Sequence, residues 1–139
     1  MSIDSAQQEI VDNFALFDDW MDRYQYLIDL GKQLPQLSSD EMISDNLVSG
    51  CQSQVWLVAS GSRDSLSFRA NSDAAIVSGL IALLLQIYSG RSATEILESS
   101  PWFVEKIGLS EHLSLTRANG LASMLAKIQQ HAYKANSQT

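Results

Sequence analysis

The sequence predicts an α+β fold: a small three-stranded antiparallel sheet packed against helices on one face. Three observations point there. Short β-prone runs follow one another between residues 46 and 69, helical patterns lie on both sides of them, and 139 residues suffice to bury one sizeable core. Strands grouped between helices argue against a parallel sheet of alternating strands and helices. Residues 1–139 are read as one domain, with frayed ends at 1–4 and 135–139.

From about Ser5 to Leu30 the residues Ile10, Phe14, Phe17, Met21, Tyr24 and Ile28 recur at alternating steps of four and three, drawing one apolar stripe down a helix. Ser5 with Gln8 suits a capping box and Gly31 a C-cap; Asp18-Asp19 before Trp20 suits the cap of a second helix after a bend. Lys32 to Asp45 reads as loop. Asn46 to Val48, Val55 to Ala59 and Leu66 to Arg69 are the three strands, the last two joined by a hairpin over residues 61–64. Ser72 is a candidate N-cap for a helix from Asp73 to about Tyr88, whose interior is apolar on nearly every face. Ser78, Gly79 and Gln86 interrupt that run and it falls short of the roughly 20 residues a membrane span needs. Ser92 with Glu95 opens a short helix, Pro101-Trp102-Phe103 another ending near Gly108, and Thr116 to about Tyr133 forms the last.

Charge is unevenly distributed. Residues 1–45 hold ten Asp or Glu against Arg23 and Lys32, whereas residues 46–139 are close to neutral. A chain of net charge −7 with no basic stripe repels phosphate backbones, which excludes nucleic acid as a partner. The first residues have neither the basic start nor the apolar core of a signal peptide, so a cytoplasmic location is expected.

The single cysteine excludes an internal disulfide framework and fits a reducing compartment. With His112 and His131 it does not make a set of metal ligands, and a Cys-x-x-Cys redox pair is absent. No metal and no cofactor are expected on this chain. Free cysteine commonly packs as a small hydrophobe. Cys51, however, follows Gly50 and precedes three consecutive polar residues, Gln52, Ser53 and Gln54, ahead of the β-prone Val55-Trp56-Leu57-Val58. That context suits a thiol at an exposed corner, with glycine supplying an unusual turn and the polar residues hydrogen-bonding around a reactive atom. His112 is the one candidate base for a cysteine hydrolase, a reading with no local signature.

The run Gly50-Cys51-Gln52-Ser53-Gln54-Val55-Trp56, with Ser72-Asp73-Ala74-Ala75-Ile76-Val77 and Gly79-Leu80-Ile81-Ala82, resembles the SufE/CsdE family of sulfur-acceptor proteins. Tyr26-Leu27-Ile28-Asp29-Leu30-Gly31, Leu34-Pro35, Pro101-Trp102-Phe103, His112-Leu113, Arg117 and Gly120-Leu121 extend the likeness in family order, roughly from Trp20 to Ile128. The resemblance implies the fold shared with iron–sulfur scaffold proteins. It also implies that Cys51 accepts sulfur as a persulfide from a pyridoxal-phosphate cysteine desulfurase of the SufS or CsdA kind, the cofactor residing on that partner. The chain would stimulate the desulfurase and relay sulfur to an iron–sulfur scaffold. Asp73 and Arg117 match positions near the cysteine loop; their plainer roles are a helix N-terminal charge and a solvated helix start. The alternative is an interaction module that stimulates a partner while Cys51 only packs. Whether such a carrier counts as an enzyme, and whether it serves a Suf-type or a Csd-type desulfurase, the sequence leaves open.

Overall fold

The computed structural model describes residues 2–137. Among these, seven α-helices and one hairpin follow in the order α1 (Ile3–Phe14), α2 (Trp20–Lys32), β1 (Val55–Ser62), β2 (Ser65–Ser72), α3 (Ala75–Tyr88), α4 (Ala93–Glu98), α5 (Phe103–Lys106), α6 (Leu109–His112) and α7 (Leu115–Ser137). The class is α+β, as expected, and the sheet has two antiparallel strands instead of three.

The expected first strand contributes only a bridge between Leu47 and Trp56 and a bond from the Val48 amide to the Val55 carbonyl. The cause is length. A 3-10 turn over Ser44–Asn46 precedes these residues and Gly50, with φ +89°, turns the chain away after them. Three residues between two turns cannot carry a ladder. β1 and β2 pair from Val55↔Ser72 to Ser62↔Ser65 around a two-residue turn, Arg63-Asp64. Strand alternation places Val55, Leu57, Leu66, Phe68 and Ala70 against the helices, while Ser65, Ser67 and Arg69 face outward.

The helical stripe at the N-terminus divides. Asp19 accepts a hydrogen bond from the Asp22 amide and starts α2 afresh, the second of the two readings of that segment. The break shifts the helical phase, so Met21, expected on the buried stripe, is 80% exposed. Ser2, not Ser5, caps α1, and Ile3 is buried, so the start is helical where fraying was expected. At the other end α7 continues to Ser137; residues 1, 138 and 139 lie outside the described residues. Gln7 is fully buried and joins α1 to the segment before α5, donating to the Ser100 carbonyl and accepting from the Phe103 amide.

α3 is the spine of the core, with Val77, Leu80, Ile81, Leu83, Leu84 and Ile87 buried and α1, α2, α7 and β2 packed around it. Gly31, expected to stop α2, lies inside it. A Cβ there would stand 2.7 Å from the Gly79 amide nitrogen, and one on Gly79 would stand 2.2 Å from the Leu27 carbonyl oxygen. The two glycines let α2 and α3 cross with backbones nearly touching. The start of α3 also differs from expectation: Ala74 occupies the N-cap position, while the Ser72 hydroxyl accepts from the Ala74 amide. The Ser92–Glu95 capping box at α4 is formed in full.

Candidate functional site

The cysteine loop, residues 49–54, leaves the end of the Leu47–Ser49 segment and enters β1. Gly50 at φ +89° forms its corner, in a backbone region costly for any residue with a Cβ. A Cβ at that position would also stand 2.5 Å from the Ser123 hydroxyl of α7. The loop therefore rests directly on α7; the positive φ is what calls for glycine, since the Ser123 hydroxyl could rotate aside.

At the other end Asp73 and Gln54 clasp each other. The Asp73 carboxylate accepts from the Gln54 amide at 3.1 Å, and the Asp73 amide donates to the Gln54 carbonyl at 3.3 Å. Asp73 thus precedes α3 and closes the loop; it does not sit in the helix's first turn.

Between corner and clasp the Cys51 thiol lies half-buried, donating to the Gly120 carbonyl at a sulfur–oxygen distance of 3.6 Å. A Cβ on Gly120 would make only ordinary contact with the sulfur, at 3.7 Å, so this approach does not depend on glycine there. Around the sulfur is a hollow of about 20 Å³, floored by Val77, Leu80, Leu121 and Met124, with Gln52, Ser53, Thr116 and Arg117 at its mouth. That is room for about one water-sized atom. Burial pushes the Cys51 thiol's pKa up. Arg117 is exposed, and among the described residues its side chain has no carboxylate partner.

The residues singled out from the sequence, Gly50, Cys51, Gln52, Ser53, Gln54, Asp73 and Arg117, thus gather at one place. His112 does not join them: its ring stacks on Trp20 at 4.0 Å and it does not line the hollow. Among the described residues no three His, Cys, Asp or Glu side chains stand close enough to share a metal ion. Sequence reading does not single out Ser123 or the Gly120 carbonyl for the site. Nothing local marks either: Ser123 is an ordinary helix residue, and a Cβ on Gly120 would fit against the sulfur.

Residues 8–132 match the family model described as SufE, Fe-S metabolism associated domain. The chain belongs to the SufE family. An uncharacterised SufE-like protein of Rhizobium meliloti (strain 1021) is 48% identical over 133 residues, covering 92% of this chain and 95% of the relative. A second, from Rhizobium etli, is 47% identical over 92% of this chain and 90% of its own. The solution structure of a hypothetical protein from Thermus thermophilus superposes with a TM-score of 0.77 at 21% identity, covering 96% of this chain and 97% of the other, a likeness of fold. SufE membership connects this chain with iron–sulfur metabolism and sulfur transfer. Among the described residues no helix is long and apolar enough to cross a membrane.

Proposed function

We propose that Cys51 accepts sulfur from a persulfide on a pyridoxal-phosphate cysteine desulfurase, and that the chain stimulates that enzyme and passes the sulfur toward an iron–sulfur scaffold in the cytoplasm. The observation that carries this reading is the solitary thiol, held at a glycine corner over an apolar hollow with room for about one more atom.

The chemistry needs little else. The Cys51 thiolate attacks the outer sulfur of the donor persulfide; a new S–S bond forms at Sγ as the donor's S–S bond breaks. The bonding electron pair leaves on the donor sulfur, which becomes a thiolate and takes up the proton that Cys51 lost. No external oxidant or reductant enters. The hard step, extracting sulfur from cysteine, belongs to the donor and its own cofactor.

Two requirements conflict: a persulfide must be kept from water and small thiols, yet its sulfur must enter the donor's active site. The loop geometry suits an alternation between a tucked pose, with sulfur over the hollow, and an extended one reached by pivoting at Gly50 and releasing the Asp73–Gln54 clasp. Gln52 and Ser53 line the mouth on the loop side, and the uncompensated charge of Arg117 faces the sulfur's exit. Arg117 would there meet the anionic persulfide or the desulfurase.

The test combines the chain with a cysteine desulfurase and cysteine and records intact mass. One sulfur should add at Cys51 and none to Cys51→Ser. The half-buried thiol is also what a packing-only cysteine looks like, so the same samples are assayed for desulfurase turnover. A Cys51→Ser chain that stimulates as well as the parent would establish the interaction module in place of the carrier.

A further inference from the structure

Residues 112–139 contain Arg117, Lys127 and Lys134 and not one Asp or Glu, although the whole chain carries −7. Within it lies α7 (Leu115–Ser137), the wall on which the cysteine loop rests. Gly120, Ser123, Lys127, Gln130 and Lys134 succeed one another at steps of three and four, so they share one flank of the helix. On that flank Gly120 meets Cys51 and Ser123 meets Gly50. The flank then continues past the loop to the lysines.

There it borders a second cleft, of about 190 Å³, lined by Val48, Ser49, Ser123, Ala126, Lys127 and Gln130. The lining offers two hydroxyls, a carboxamide and the partly buried Lys127, and no carboxylate. Among the described residues Lys127 has no ion-pair partner and no side-chain hydrogen bond. A lysine without a counter-charge, on the rim of a cleft with hydroxyl donors, is the complement of a carboxylate.

We propose that this cleft receives an Asp or Glu side chain of the sulfur-donating protein, seated against Lys127, Ser49 and Ser123, while the donor's sulfur meets Cys51 on the same helix flank. The inference rests on the reading of Cys51 as a sulfur acceptor, since that reaction brings a second protein to the loop. Charge complementarity selects the occupant. Nucleic acid and anionic lipid would bring many negative charges against ten acids in the first 45 residues, whereas an acidic residue in a protein active-site rim brings one or two. The contact orients the partner and is not part of the sulfur chemistry, so it governs how tightly the donor is held and not how much sulfur Cys51 finally takes.

Binding and loading are measured separately, with a cysteine desulfurase as the probe, for the full chain, Lys127→Glu, Lys127→Arg and the remote control Lys106→Glu, at low and high salt. Lys127→Glu should weaken half-saturation by about fivefold to tenfold at low salt, with the difference fading as salt screens it. Lys127→Arg and Lys106→Glu should bind like the parent, and saturating desulfurase should load Cys51 equally in all four. Equal binding of Lys127→Glu and Lys106→Glu overturns the docking site, as does a loss that salt does not change. Duplex DNA or anionic vesicles that bind the parent through Lys127 when the desulfurase does not would overturn the choice of occupant. So would a change in the chain's own sedimentation on Lys127→Glu, which assigns the cleft to a second copy. If the desulfurase binds as expected but Cys51 never gains sulfur, the docking site stands and the acceptor reading falls.

Discussion

The Cys51 thiol is set for restraint. Burial raises its pKa, and its S–H already donates to the Gly120 carbonyl, an arrangement that favours the protonated form. Only the thiolate attacks, so the tucked pose is a slow nucleophile at neutral pH. Alkylation of the free chain should be slower than that of an unburied thiol and should keep rising with pH above 9, the ordinary value from which Cys51 is displaced. The clasp makes this a matter of loop opening. Asp73→Ala removes the acceptor of the Gln54 amide, an interaction worth about 1 kcal/mol, and should speed alkylation about fivefold while lowering global stability by no more than that amount. If iodoacetamide reacts with Asp73→Ala at the parental rate, Asp73 does not hold the loop closed.

Elements bring that loop to its place, and α2 crosses α3 with backbone against backbone. Gly79→Ala would drive a methyl to 2.2 Å from the Leu27 carbonyl oxygen, backbone that cannot rotate aside. The helices must part, at a cost of about 1–3 kcal/mol or more, read as a lower urea midpoint. A midpoint equal to the parent's would mean the crossing yields without penalty. Gly31 marks the limit of local reading: beside Lys32 and Leu34-Pro35 a glycine resembles a C-cap, and only the position of α3 explains it. The phase shift at Asp18-Asp19 is of the same kind, since one cap decides whether Met21 points in or out. What is legible without coordinates is what is local. The Ser92–Glu95 capping box, the β1–β2 hairpin and the apolar spine of α3 follow from short-range chemistry. The glycine corner at Cys51 is local too, but Ser123 beneath it and the Gly120 carbonyl facing the sulfur lie about 70 residues away in the chain and need the fold. The third strand fails for a reason between these scales: Leu47 and Val48 have strand chemistry, but turns on both sides leave them too few neighbours to pair.

Summed over the molecule, the shifted groups predict a stability profile with a plateau and unequal shoulders. His131 on α7 has its Nε2 buried without a hydrogen-bond partner. Burial lowers its pKa below the ordinary 6.5, and Lys127 and Lys134 press in the same direction. A depressed histidine binds its proton more weakly in the folded state. Its contribution is therefore complete above pH 6.5 and is lost as pH falls from there through the folded value. Glu41, held below its ordinary 4.5 by Arg69, and Glu95, held down by the Ser92 amide of its capping box, behave alike and add a second acid loss below 4.5. On the alkaline side burial raises Cys51 from 9.0 and lifts Tyr88 from 10.0 to about 12. Raised groups hold their protons more tightly when folded, so stability falls as pH climbs above those ordinary values. Urea midpoints should then be flat between about pH 7 and 9, decline below 6.5, and decline again below 4.5. In His131→Leu the shoulder beginning at 6.5 should disappear while the loss below 4.5 remains. If His131→Leu keeps that first shoulder unchanged, the proton responsible binds elsewhere, and the half-buried imidazole beside the two lysines does not set the acid limit of the fold.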